Sequence, residues 1–143
     1  MSHITMNEQY GNRFEDKAED KAHWRFEDLE IWQLAADLAV TFHALAAARL
    51  DERKSYRYAE QLRAAGLSVS NNISEGSASP HPKEFLQFLN IARRSLFEDA
   101  SMLLVFQRMG LVQSEETRPL LIDSDILSRK ITNCSKSLRG DRS

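Results

Sequence analysis

The sequence contains little of what would build a disulfide framework, a zinc site or a membrane span. Cys134 is the only cysteine among 143 residues, so no intrachain disulfide can form and no zinc site can rest on several thiolates. No apolar run approaches the roughly 20 residues that cross a bilayer, and the first residues lack the hydrophobic stretch of a signal peptide. We therefore expect a cytoplasmic protein without a membrane anchor.

The sequence also lacks a large excess of charge of either sign. Its formal net charge is −2, so binding to nucleic acid or anionic lipid would need a local basic patch. Glycines and prolines number only 5 and 3, and no sustained alternation of apolar and polar residues indicates a strand. Since 42% of the residues are hydrophobic, the composition is that of one globular domain, and the expected fold class is all-α.

Apolar residues recur with the helical period in four segments between residues 24 and 139. The first segment carries two neighbouring apolar stripes, a wider surface than one partner helix would cover. We expect the first helix to start near Phe26 and the second to run from about Ser55 to Ser74. The third should run from Pro82 to Met109–Gly110, and the fourth should start near Ser114. Four helices with short corners predict an antiparallel up-and-down four-helix bundle.

The two ends of the chain differ from this pattern. Residues 1–23 alternate acids and lysines with little apolar periodicity, which predicts a flexible polar tail because such a segment buries too little surface to offset its ordering entropy. The last residues, SKSLRGDRS, are polar, and we expect them to fray, with 140–143 outside the bundle.

The stretch NNISEGSASPHPKEF, residues 71–85, is explained by a corner between two helices. Pro82 suits the first helical position, with His81 as N-cap, and Gly76 suits a left-handed residue that ends the second helix. The pattern of a phosphate-binding loop is absent. The corner therefore predicts no nucleotide cofactor.

Three polar residues around this corner form a candidate cluster: Asn72, Glu75 and Glu98. Asn72 and Glu75 are three apart and share a helix face, and Ser95, Glu98 and Asp99 could lie near them on the third helix. A carboxylate pair for metal or acid–base chemistry is the alternative, but no Glu-x-x-His motif accompanies it. We expect a structural role, in which the cluster fixes helix register through hydrogen bonds or borders a subunit contact, with no catalytic residue, no metal and no cofactor.

Three segments together resemble a known family: FEDLEIWQLA at 26–35, EQLRAAGLSVSNNISEG at 60–76 and KEFLQFLNIARRSLFED at 83–99. They are similar to the four-helix bundle family associated with intervening sequences of bacterial 23S ribosomal RNA genes. The accessory protein of diversity-generating retroelements looks like a relative. The resemblance spans roughly residues 24–112. The matching positions are Phe26, Asp28, Leu29, Trp32, Gln61, Leu62, Arg63, Ser70, Asn72, Glu75, Gly76, Lys83, Glu84, Phe85, Ala92, Ser95, Leu96 and Glu98.

The resemblance implies a small helical protein without known catalytic activity that assembles into a ring-like homopentamer. It also implies that retroelement relatives bind nucleic acid through a basic surface and act with a reverse transcriptase. This chain departs from the family pattern at three places. It has Ala78-Ser79 in place of a Gly-Arg pair, Arg94 in place of a glycine, and His81 in place of a serine cap.

Two functional hypotheses remain, and an enzyme is a distant third because Cys134 has no histidine at a suggestive spacing. The first is binding of RNA or DNA by an oligomer that repeats a modest basic patch. The second is a scaffold that docks a partner protein through apolar surface near Trp24 and Trp32. The candidate nucleic-acid-binding residues are Arg53, Lys54, Arg57, Arg93 and Arg94.

Overall fold

The structure, a computed structural model, describes residues 22–140. A short 3₁₀ turn (Arg25–Asp28) precedes four helices, named here α1 (Glu30–Arg49), α2 (Tyr56–Ser77), α3 (Pro82–Arg108) and α4 (Ser114–Arg139). Over residues 22–140 there is no strand. Each helix packs against the next, and α4 packs back against α1, which confirms the four-helix bundle. Residues 1–21 of the predicted tail, and 141–143, lie outside the described residues.

One large side chain from each helix shows how the core is built. Phe42, Leu62, Leu96 and Leu127 come from α1 to α4 in turn, and each is at most 1% exposed. Fully burying a side chain of this size contributes about 1.5–3 kcal/mol. The apolar stripes therefore drive the four helices together, as their spacing predicts.

Close approach of helices explains two glycines inside α2. A Cβ on Gly66 would lie 2.8 Å from Phe42 Cδ2, so α2 approaches α1 closely at this position. Gly76 was expected to end α2 in the left-handed conformation, and this is wrong. Its φ is not positive, the helix continues to Ser77, and a Cβ there would meet Phe85 and Phe88 of α3.

The ends of α3 and α4 are closed by glycines in the left-handed conformation. Gly110 has φ 78°, and its N–H donates to the Gln107 carbonyl while the Leu111 N–H donates to the Phe106 carbonyl. This is the expected cap of α3. Gly140 has φ 75° and closes α4. The expectation that SKSLRGDRS frays is therefore wrong for residues 135–139, which are helical.

Tyr58 and Ile126 follow the apolar period of their helices but are partly exposed. Tyr58 is 36% exposed, with its ring centroid 5.2 Å from that of Phe106 at the edge of the core. Ile126 is 43% exposed and borders a cleft between α1 and α4. Helical period gives the direction of a stripe but not its width, and α1 and α4 are the most loosely packed neighbours.

α1 is the one helix within residues 22–140 that is long and apolar enough to cross a membrane by length and composition. Its apolar face, however, contains Ile31, Leu38 and Phe42, and all three are buried against the other helices. Of the stretch of α1 that meets these criteria, 33% is buried inside the bundle.

Candidate nucleic-acid interface and docking clefts

Three cations lie at the corner between α1 and α2, and we name Arg53, Lys54 and Arg57 the corner cations. All three are exposed, and within the described range none of them has an ion-pair partner. Two nearby arginines, by contrast, are each paired with a carboxylate: Arg49 Nε lies 2.8 Å from Glu116 Oε2, and Arg63 Nη2 lies 2.7 Å from Asp51 Oδ2. The structure therefore leaves the charge of the corner cations available for a ligand.

The two candidate arginines on α3 have different surroundings. Arg93 is half-buried, with its Cζ 4.8 Å from the ring centroid of Phe97. Its Nε is buried without a hydrogen-bond partner in the part of the chain described. Arg94 is exposed. Of the two, only Arg94 has its whole guanidinium open to a phosphate.

The five candidate residues do not form one patch on a single chain. Tyr58 packs against Phe106, so the beginning of α2 lies beside the end of α3. Arg94 precedes Phe106 by twelve positions, which at 1.5 Å per residue is about 18 Å along the helix. The structure therefore separates Arg94 from the corner cations.

Hydrogen bonds in the predicted polar cluster involve serines in place of the glutamates. Asn72 Nδ2 donates to the Ser68 carbonyl at 2.8 Å and to Ser68 Oγ at 3.0 Å, and Ser68 Oγ lies 3.1 Å from Ser95 Oγ of α3. Glu75 and Glu98 are exposed, and no side-chain hydrogen bond joins either to another described residue. The link between α2 and α3 is thus Asn72–Ser68–Ser95, and a structural role for the glutamates stays a prediction.

Asp99 is a core residue whose burial the sequence analysis did not predict. Its side chain is fully buried, and neither carboxyl oxygen has a hydrogen-bond partner within residues 22–140. Burial, with a smaller effect of Glu98, raises the pKa of Asp99 to about 8, because a charged carboxylate is poorly solvated there. Asp99 is therefore protonated at neutral pH. Its position between Leu96 and Leu103 on the apolar period was the available signal.

A cleft of about 620 Å³ lies between α3 and α4, and we name it the basic cleft. Apolar side chains form much of its lining, and Phe97 and Leu104 are 58% and 50% exposed. Arg108 lies in the lining without an ion-pair partner in the described chain, whereas Asp125 pairs with Arg129 at 3.1 Å. The cleft is an open apolar surface with unneutralised positive charge.

A smaller cleft of about 230 Å³ lies between α1 and α4, and we name it the acidic cleft. Leu34 and Ile126 contribute apolar surface to it. Lys130, also in the lining, is paired with Glu30 at 2.6 Å. The carboxylates of Asp37 and Asp123 have no such partner among residues 22–140. This side of the bundle therefore carries unneutralised negative charge.

The described residues contain no group of three or more histidine, cysteine or acidic side chains that could hold a metal ion. Cys134 is half-buried, and burial raises the pKa of its thiol. A raised pKa leaves the sulfur as the less nucleophilic thiol at neutral pH. The geometry around these residues thus provides neither a metal centre nor an activated nucleophile.

Comparison with known proteins places the chain in a family. No curated protein gives a significant match. The family model described as 23S rRNA-intervening sequence protein matches residues 27–133, from the 3₁₀ turn to near the end of α4. This match covers well over half of the chain and includes the three segments that carry the resemblance, except for Phe26 at the start of the first. The chain belongs to the 23S rRNA-intervening sequence protein family.

Proposed function

We propose that this protein is a cytoplasmic, non-enzymatic accessory protein that binds RNA or DNA as a homo-oligomer, with a homopentamer as the expected size. The observation that carries the proposal is the group of corner cations, which are exposed and have no ion-pair partners in the described chain. Cations already neutralised inside the protein would contribute little to phosphate binding.

An oligomer makes this modest patch useful. One chain offers three corner cations, and acids such as Asp51 and Glu52 lie close to them in the sequence. A ring presents the same patch once per subunit, so a long nucleic acid that engages several subunits gains avidity without any new type of contact. The association is therefore expected to be strong only for the assembled protein and for nucleic acid long enough to span subunits.

The expected contact is with phosphates and is largely indifferent to base sequence. Arginine and lysine side chains at a helix corner reach backbone phosphates, which carry no sequence information. Arg94 would add a second, weaker site on each subunit. Binding should therefore be governed by salt, since each neutralised phosphate releases counterions.

The test is a salt titration of RNA and DNA binding with two matched triple variants. One carries Arg53→Ala, Lys54→Ala and Arg57→Ala; the control carries Lys83→Ala, Arg118→Ala and Lys136→Ala, which removes the same charge from exposed positions elsewhere. We expect the corner variant to lose up to about 0.7–0.9 in the log–log salt slope per contact, and the control to stay near the wild type. Equal slopes in all three proteins, or no binding at low salt, would overturn the proposal.

Docking of a partner protein is the second candidate function, and the surface around Trp24 favours it. Trp24 is 62% exposed, and its ring stacks on Phe26 with centroids 6.3 Å apart. Phe26 in turn contacts Trp32 at 4.9 Å. Exposed aromatic side chains of this kind are enriched at protein interfaces. If nucleic-acid binding is absent at low salt, loss of a partner on Trp24→Ala substitution becomes the decisive measurement.

A further inference from the structure

We infer that copies of this chain contact each other through two different sides of the bundle, with the basic cleft of one copy against the acidic cleft of the next. The inference rests on the proposed homo-oligomer and identifies the surfaces that form it. The two clefts share α4, since one lies between α3 and α4 and the other between α1 and α4.

Exposed apolar side chains on these two sides provide the surface to be buried. Phe97, Leu104 and Val105 line the basic cleft and are 58%, 50% and 43% exposed, and Ile126 of the acidic cleft is 43% exposed. Large apolar side chains grouped on one side of a protein indicate an interaction surface more than the same residues scattered singly. A second chain would remove them from water.

Charge decides which surface covers which. Among residues 22–140, Arg108 of the basic cleft has no ion-pair partner, and Arg93 lies against Phe97 at the other end of this cleft. Asp37 and Asp123 of the acidic cleft likewise have no ion-pair partner within that range. Two basic clefts facing each other across a twofold axis would bring like charges together, as would two acidic clefts, whereas a basic cleft against an acidic cleft matches opposite charges.

The placement of the clefts also allows such a contact to close into a ring. Neighbouring sides of a four-helix bundle face directions about 90° apart. A head-to-tail contact forms a closed ring when repeating the rotation between neighbouring subunits returns to the first subunit. In such a ring, the directions from one subunit to its two neighbours are about 90° apart for four subunits and about 108° apart for five. Contacts on the two sides that share α4 therefore fit a small ring, with α4 toward its axis.

The test reverses one charge on each side, using Arg108→Glu, Asp123→Lys and the two combined. The mass of each full-length variant is measured by light scattering over a concentration series at low salt. The oligomer of each single variant should dissociate at a protein concentration about tenfold or more above that at which the wild-type oligomer dissociates. The double variant should recover association. Lys83→Glu, at the exposed first turn of α3, is the control and should leave the mass unchanged.

An equimolar mixture of the two single variants gives an independent readout. The reversed basic cleft of one variant then matches the reversed acidic cleft of the other, so at equal total concentration the mixture should have a larger mass than either variant alone; a mixture no larger than the separate variants would count against the inference. Unchanged masses in both single variants, or a double variant weaker than either, would overturn this inference while the wild-type oligomer stands. A wild-type mass of one chain would instead overturn the proposed oligomer itself, and this inference with it.

Discussion

Gly76 of α2 lies so close to Phe88 of α3 that a Cβ on the glycine would be 2.8 Å from the Cβ of the phenylalanine. A Phe88 Cβ is fixed to its own helix, so the added atom cannot be accommodated by a side-chain rotation alone. The two helices must separate, or the side chain at 76 must be absent. The contact joins the two halves of the helical hairpin that the family motifs occupy.

Replacing Gly76 with alanine should therefore destabilise the protein in spite of alanine's higher helix propensity. Overpacking of a close contact typically costs about 1–3 kcal/mol, against a gain of about 1 kcal/mol from propensity. We expect a net loss in the free energy of unfolding, measured by urea denaturation. Asn71→Ala, exposed on the same helix, is the control and should change stability by less than about 0.5 kcal/mol. A more stable Gly76→Ala protein would contradict the contact.

Asp99 predicts a specific pH dependence of stability. Its pKa is raised from 3.8 to about 8 in the folded protein, chiefly by burial. A group with a raised folded-state pKa contributes stability that is complete below its unfolded pKa and is lost as the pH rises through the folded pKa. The free energy of unfolding should therefore fall as the pH increases from about 4 towards about 8, and change little above that.

Asp99→Asn separates this effect from other titrations because the amide does not ionise. The variant should lack the part of the pH dependence that arises at position 99, as seen in urea unfolding measured from about pH 4 to above the folded-state pKa of about 8. Glu98→Gln, at the exposed neighbouring position, is the matched control and should keep most of the wild-type dependence. Parallel curves for the wild type and Asp99→Asn would show that Asp99 does not hold its proton in the fold.

Asn72 should matter more for stability than Glu75, although the sequence places both in one polar cluster. Asn72→Ala removes two hydrogen bonds to Ser68, worth about 0.5–1.5 kcal/mol each. Glu75 is exposed, so the cost expected of a buried glutamate does not apply, and Glu75→Ala should stay within about 0.5 kcal/mol. Thermal unfolding of both variants at equal concentration measures the difference. A larger loss for Glu75→Ala would point to a role in the assembled protein.

Features that belong to one segment can be predicted from the sequence, whereas features that join two segments cannot. The apolar period of α3, from Phe85 to Phe106, is a property of one segment and predicts its helix directly. The role of Gly76 depends on which residue of α3 faces it, and the pairing of Arg63 with Asp51 depends on the geometry of the first corner. Such relationships between segments are not visible in composition or spacing. The helices could therefore be predicted, whereas the pairing of cations such as Arg63 with acidic side chains could not.

Arg93 and Arg94 are adjacent in sequence, but we expect opposite results when each is replaced by alanine. Arg94 is exposed, so Arg94→Ala should reduce the salt slope of RNA or DNA binding by up to about 0.7–0.9 and leave the mass of the oligomer unchanged. Arg93 covers the ring of Phe97 beside the basic cleft. Arg93→Ala should therefore weaken association between copies more than it changes the salt slope, since its guanidinium is held against the ring. Light scattering and a salt titration on the same samples separate the two effects. If both variants flatten the slope equally and keep the wild-type mass, the two arginines form one phosphate-binding pair, and Arg93 is not part of the contact between subunits.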